Sequence, residues 1–288
     1  MKKYLPWWIK IVVKITLSRL PFGYGLWQRI GLFRHGYMDN ADYVLKIFRE
    51  HVSRSGYDEA LSGKRILELG PGDSIATALL AKCYGANAIL LDAGAYAKQD
   101  VSGYKRLVDE LKNMDVPHVP DLGSASTLDD ILEVCGAVYM TDGITSFSRL
   151  GAGSVDLIFS QAVLEHVRKQ EFLDTMKECY RVLKPEGRAS HRIDLKDHLD
   201  SSLNNLRFSE KVWESDLFSR SGFYTNRIRY SEMVQYFKDA AFEVDILGVD
   251  KWDKIPISRN ALNSQFKYMP DEELRASGFD VLLTKRAG

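Results

Sequence analysis

The segment Arg65-Ile66-Leu67-Glu68-Leu69-Gly70-Pro71-Gly72-Asp73-Ser74 constrains what this chain can fold into more than any other. Its first five residues form a short, largely apolar run bounded by turn residues, the pattern of a strand buried on both faces. Two glycines then allow a tight turn with close backbone approach to a ligand, and Asp73 or Ser74 can cap a following helix. Strand, glycine turn and helix in that order are the first unit of a doubly wound α/β sheet, whose ligands lie beyond the carboxyl ends of the strands. A dinucleotide fingerprint requires a third glycine where this chain has Ile75, so a pyrophosphate on the helix end is not expected. Glu68 and Asp73 instead place negative charge about the turn, which suits a cationic ligand.

Downstream of Lys64, short apolar runs alternate with helical stretches. The pattern predicts strands at 65–69, 88–92, 137–140, 155–159, 188–193, 243–249 and 279–284, with helices at 74–84, 103–113, 126–134, 168–182 and 230–240. The fold class expected is α/β: a Rossmann-like, doubly wound, seven-stranded and mostly parallel sheet. With 288 residues and 45% hydrophobic content the chain can bury a full core. We divide it into an N-terminal extension, 1–38, and one catalytic domain, 39–288. Two stretches fit no element of the alternation, 195–229 and 250–272; they follow the fifth and sixth strands, where a substrate lid is expected.

The extension carries Lys2, Lys3, Lys10, Lys14, Arg19, Arg29 and Arg34 before the first acidic residue, Asp39, a charge of +7. The remainder keeps 32 basic against 39 acidic side chains, or −7, so charge argues against nucleic acid as a partner. At 100° per residue, Lys3, Lys10 and Lys14 fall on one side of a helix and Trp8, Ile9, Val12, Val13, Ile15 and Leu17 spread over the rest. This basic amphipathic segment is too short and too charged for a membrane span and lacks the features of a signal peptide. Two readings follow. Residues 1–36 contact the cytoplasmic face of the membrane, with Trp7, Trp8, Tyr24, Trp27 and Phe33 at the headgroup boundary, or the helix packs on the catalytic domain as a lid. Cys83, Cys135 and Cys179 are odd in number with no C-x-x-C spacing, which fits a reducing cytoplasm better than a disulfide framework or a zinc site.

A second apolar strand, Ala88-Ile89-Leu90-Leu91, ends in Asp92, about twenty residues beyond the glycine turn, where a carboxylate can accept both hydroxyls of a ribose. A third, Tyr139-Met140-Thr141, ends in Asp142, which could accept from an adenine amino group. Together with Ser154-Val155-Asp156-Leu157-Ile158-Phe159-Ser160, Leu164-Glu165-His166-Val167 and Arg181-Val182-Leu183-Lys184-Pro185-Glu186-Gly187, these motifs resemble, in order, those of class I S-adenosylmethionine-dependent methyltransferases. The resemblance covers about residues 60–195; Glu186 departs from it, since the family commonly has glycine there. It implies S-adenosylmethionine as cofactor, with contacts at Glu68, Gly70, Gly72, Asp92 and Asp142 and with Ser160 and Gln161 beside the methyl donor. The missing third glycine and the lack of a Tyr-x-x-x-Lys pair opposite the turn argue against the rival reading, an NAD-dependent sugar oxidoreductase.

Four ionisable residues, His191, Asp194, Asp197 and His198, crowd the end of the fifth strand. Methyl transfer to a hydroxyl needs an acceptor for the leaving proton, and an imidazole is suited to that task. His191 is the expected base, oriented by Asp194, provided the strand ends near Arg192; were it to continue, the two would point to opposite faces. His198 and His166 are the reserve candidates. No metal ligand set is assigned; Asp194, Asp197 and His198 around a divalent ion are the alternative. The segment 190–198 also resembles methyltransferases of bacterial surface-polysaccharide pathways, which implies a glycan or glycolipid hydroxyl, or another small-molecule acceptor, contacted by Tyr224, Arg227 and Arg229. Methylation of a quinone or lipid, and a non-catalytic cofactor-binding partner of a glycan assembly complex, are the competing readings.

Overall fold

The computed structural model describes residues 6–17, 40–58 and 60–285. Seven strands, β1 (Arg65–Leu69), β2 (Asn87–Leu91), β3 (Val138–Met140), β4 (Val155–Gln161), β5 (Leu183–Asp194), β6 (Phe242–Lys251) and β7 (Ala276–Lys285), form one sheet in the order β3-β2-β1-β4-β5-β7-β6. The first five run parallel, and β7 lies antiparallel between β5 and β6. Strand alternation sends Ile66 to one face with Leu90, Leu157 and Phe159, and Leu67 and Leu69 to the other with Ile89, Leu91 and Ile158. Each face needs a helical cover, which is why the strands read as unbroken apolar runs.

Helices α1 (Trp7–Leu17), α2 (Ala41–Arg54), α3 (Ala76–Cys83), α4 (Val101–Lys112), α5 (Leu128–Cys135), α6 (Lys169–Val182) and α7 (Tyr230–Asp239) include all five expected from the sequence. Helices α2 to α5 cover the first face and α6 and α7 the second. Helix α2 has no counterpart among the elements expected from the sequence. Its core stripe is Ala41, Val44, Leu45, Phe48 and Val52, and its N-terminus is capped by Asn40, whose side chain accepts from the Tyr43 N–H at 2.8 Å. The alternation proposed for the rest is borne out, with β5 longer at both ends than expected. Gly187 lies at the register shift between the parallel neighbours β4 and β5: a Cβ there would sit 2.9 Å from Asp156 O, so the close approach requires glycine.

The two expected insertions fold against each other. Leu203 and Leu206 pack with Leu262, Phe266 and Leu274, and Asn263 N–H donates to Leu206 O at 2.9 Å. Helix α1 lies on the first insertion: Ile11 joins Leu199, Trp213, Phe218, Phe223 and Tyr224, and the Arg207 guanidinium sits 5.0 Å from the Trp7 ring centre. Lys10 Nζ donates to Leu199 O (2.9 Å) and Lys14 Nζ to His198 O (3.1 Å). Two of the three lysines expected to meet anionic headgroups thus clasp carbonyls of the lid, the packed arrangement of the two considered. Lys3, Arg19, Tyr24, Trp27, Arg29 and Phe33 lie outside the described residues. Among the described residues no helix is long and apolar enough to cross a membrane.

Candidate active site

The glycine turn, Asp92 and Asp142 meet at the carboxyl ends of β1, β2 and β3. Gly70 and Gly72 both adopt left-handed backbone, φ +67° and +66°. Gly70 N–H donates to Leu91 O (2.8 Å), and a Cβ at Gly70 would lie 2.5 Å from Val163 Cγ1, so the loop after β4 closes directly on the turn. That loop is itself strained, with Ala162 at φ +54°. Asp92 reaches back to the turn: its Oδ2 accepts from Gly72 N–H (2.9 Å) and its Oδ1 from Ala93 N–H (2.7 Å). Burial pushes the Asp92 carboxyl up to about 6, those two N–H groups opposing. Each oxygen retains acceptor capacity for a ribose hydroxyl.

Glu68 is fully enclosed and its Oε2 has no hydrogen-bond partner. Burial pushes its carboxyl up to about 8, against a hydrogen bond from Thr77 and with added repulsion from Asp92. A buried acid with an unsatisfied oxygen beside the turn could accept a hydrogen bond from a ligand ammonium. Asp73 contributes less than expected, because Lys98 Nζ lies 3.3 Å from its Oδ2. Asp142, half-exposed, is engaged by Arg149 Nη2 at 2.6 Å; its place at the end of β3 is fixed by Gly143 N–H donating to Asp92 O.

The expected catalytic pair is not formed. Because β5 continues through Asp194, His191 and Asp194 point to opposite faces. The His191 ring is wholly buried, bonded through Nδ1 to Ser160 Oγ (2.8 Å), and lies face to face with Phe237. Burial lowers its pKa to about 3, so it is neutral and out of reach of an acceptor. Asp194 instead accepts from Lys196 N–H at 2.9 Å. The alternative metal set fails too: Asp197 is occupied by the N–H groups of Leu199, Asp200 and Asn204, with the Asn204 amide in addition. Tyr224, Arg227 and Arg229 are buried rather than presented to an acceptor. The Tyr224 hydroxyl donates to Glu214, Arg227 to Phe208 O and Glu210, and Arg229 to Leu195 O, Glu273 O and Ala276 O.

Two other groups of side chains take the places these leave. On α2, His51 Nε2 donates to Gln161 Oε1 (3.1 Å) while its Nδ1 accepts from Ser190 Oγ (2.8 Å). Burial lowers the His51 pKa to about 4, so the neutral ring holds the end of β4 from beneath. His51 escaped the sequence reading because α2 did, although the i, i+3, i+4, i+7 stripe was there to be read. At the far side of the β4 loop, His166 comes together with His198, their ring centres 4.7 Å apart, and with Glu165. His166 Nδ1 lies 2.9 Å from Tyr224 O. A carbonyl only accepts, so the proton sits on Nδ1 and the lone pair on Nε2. Glu165 is buried with neither carboxylate oxygen in a well-formed hydrogen bond. Burial raises its carboxyl to about 8, the backbone N–H groups of Glu165 and Asp194 offsetting this in part. Asn226 fixes the turn, donating through Nδ2 to Leu164 O and Val167 O and through its N–H to Glu165 O.

Residues 67–190 match the model of a family described as a methyltransferase domain. The chain resembles a SAM-dependent methyltransferase from Archaeoglobus fulgidus at 13% identity and TM-score 0.44, covering 83% of this chain and 94% of that one. It also resembles the YcgJ protein of Bacillus subtilis at 17% identity and TM-score 0.44, covering 83% and 100%. A phosphoethanolamine N-methyltransferase of Haemonchus contortus, solved with S-adenosylhomocysteine, matches at 15% identity and TM-score 0.41, covering 79% and 50%. A search of curated proteins returned no match. The strand order, with its single antiparallel β7, is that of the class I methyltransferase fold. Residues 67–190 are thus similar to a methyltransferase domain, on a sheet with the strand order described above.

Proposed function

We propose that the protein methylates a hydroxyl of a small acceptor, a glycan or glycolipid in the first instance, in the cytoplasm. Glu68, Gly70, Gly72 and Asp92 would hold the cofactor, with Asp142 at the adenine end and Ser160 and Gln161 near the methyl group. Bound there, S-adenosylmethionine supplies an electrophilic methyl group. The observation that carries the hydroxyl reading is the His166 hydrogen bond to Tyr224 O, which leaves Nε2 as the nitrogen able to take the acceptor proton. Glu165 and His198, gathered at the same point, add a buried carboxyl group and a second imidazole. His166 and His198 thereby replace His191 as the base. The buried, free Cys83, Cys135 and Cys179 fit a reducing compartment.

The test is transfer of labelled methyl from S-adenosylmethionine to a panel of hydroxyl, amine and carbon acceptors, comparing His166→Ala, His198→Ala and His191→Ala at saturating cofactor. The proton-accepting group should lose turnover by roughly 10²- to 10⁴-fold with adenosylhomocysteine affinity unchanged. Transfer only to a quinone or lipid would replace the glycan part of the reading. Cofactor binding with transfer to no acceptor would make the protein a non-catalytic partner.

A further inference from the structure

We infer that Glu165, His166 and His198 bind one divalent transition-metal ion at the carboxyl end of β4, a site assembled by the β4 loop and the lid. The three residues offer one ligand atom each, and these atoms all lie within 4.8 Å of one another. Around a zinc-sized ion with ligand bonds of about 2.0–2.2 Å, tetrahedral ligand atoms stand roughly 3.3–3.6 Å apart, so the cluster must contract by about 1 Å. The exposed side chain of His198, on a loop, can supply that movement.

Three further features point to a cation. The Glu165 carboxylate is buried without a well-formed hydrogen bond for either oxygen, an arrangement that a ligand ion would complete. His166 donates its Nδ1 proton to the Tyr224 carbonyl, the outer contact that orients metal-ligating imidazoles and directs Nε2 to the ion. Asn226 holds the 164–167 turn through three hydrogen bonds, so two of the ligands are preorganised before an ion arrives. The opposing charges are Lys14, whose ammonium is held by the His198 carbonyl at 3.1 Å, and Arg192, which acts on Glu165. Two imidazoles and one carboxylate form a borderline donor set that selects Zn²⁺, Fe²⁺ or Mn²⁺ over Mg²⁺ and Ca²⁺, and three protein ligands leave positions open.

For its purpose this site rests on the hydroxyl reading above, which it deepens. With His166 Nε2 engaged by the ion, the cation would take over the role given to the imidazole above: it would lower the pKa of an acceptor hydroxyl, whose proton would pass to water. Its existence does not depend on that reading, and the experiment separates the two. The full chain, freed of metal by a chelator, is titrated with Zn²⁺ against a chromophoric competitor, and separately with adenosylhomocysteine by calorimetry. One Zn²⁺ per chain is expected, resisting displacement by excess Mg²⁺, with affinity reduced at least tenfold in both Glu165→Gln and His198→Ala. His198→Ala removes an exposed side chain and should fold even where Glu165→Gln does not. Absence of stoichiometric Zn²⁺ binding, or binding unchanged in His198→Ala, overturns the site while leaving adenosylhomocysteine affinity as it was. Failure to bind adenosylhomocysteine would instead strike the cofactor assignment beneath the proposed function.

Discussion

Replacing Gly70 by alanine perturbs a position where the turn geometry and the close approach of the loop after β4 both depend on a missing side chain. At φ +67° an L-residue costs about 1–2 kcal/mol. The new methyl would also lie 2.5 and 2.6 Å from the two γ-carbons of Val163, an overlap that costs about 1–3 kcal/mol once neighbours shift. The sum, roughly 2–5 kcal/mol, corresponds to a fall in Tm of about 4–20 °C for a domain of this size. Val163→Ala removes the two clashing atoms, so in that background Gly70→Ala should cost only the backbone strain. A double-mutant cycle by urea unfolding should therefore give a coupling of about 1–3 kcal/mol of favourable sign. Additivity within about 0.5 kcal/mol would refute the claim that the β4 loop closes on the glycine turn, and a fully stable Gly70→Ala would refute the turn itself.

Three further outcomes follow from the same geometry. Glu68 and Glu165 have carboxyls raised by burial to about 8 from 4.5, so the folded cofactor-free protein holds more protons than the unfolded chain between those values. Its stability should fall as pH rises through that window, and Glu68→Gln or Glu165→Gln should flatten the slope; an unchanged slope in both would contradict their burial as acids. His191→Ala, which removes a fully buried ring and its bond to Ser160, should lower stability by about 2–4 kcal/mol while turnover per folded molecule stays within a few-fold of wild type. Loss of turnover without loss of stability would restore His191 as the base. Removing residues 1–17 should uncover the Trp213 and Phe218 cluster and speed proteolysis within 199–224 while adenosylhomocysteine still binds; equal cleavage rates would contradict the lid-packing of α1.

The sheet was legible because both of its faces are covered: runs such as Ile66 to Leu69 and Ala88 to Leu91 leave no polar face to confuse with an amphipathic helix. The cofactor end was legible for a related reason, since Gly70, Gly72 and Asp92 sit at strand ends whose positions the pattern fixes. The acceptor side was not. His191 was misplaced because its pairing with Asp194 needs a strand that ends near Arg192, whereas β5 runs through Asp194 and turns the two side chains to opposite faces. Helix α1 forms, but a sequence cannot say whether Lys10 and Lys14 meet phosphates or the carbonyls of Leu199 and His198, and in the structure Trp8, Val12 and Val13 are exposed. The Glu165, His166 and His198 cluster joins residues more than thirty positions apart through a lid with no periodic pattern, so only the folded chain brings it into view.

The cofactor site is tested most directly by calorimetric titration of adenosylhomocysteine into wild type and Asp92→Ala. One site of low-micromolar affinity, about −8 kcal/mol, is expected for the wild type, weakened by about 1–3 kcal/mol when the Asp92 carboxylate is removed. An unchanged dissociation constant in Asp92→Ala would take Asp92 out of the site, and a wild type that binds NAD but not adenosylhomocysteine would contradict the account as a whole.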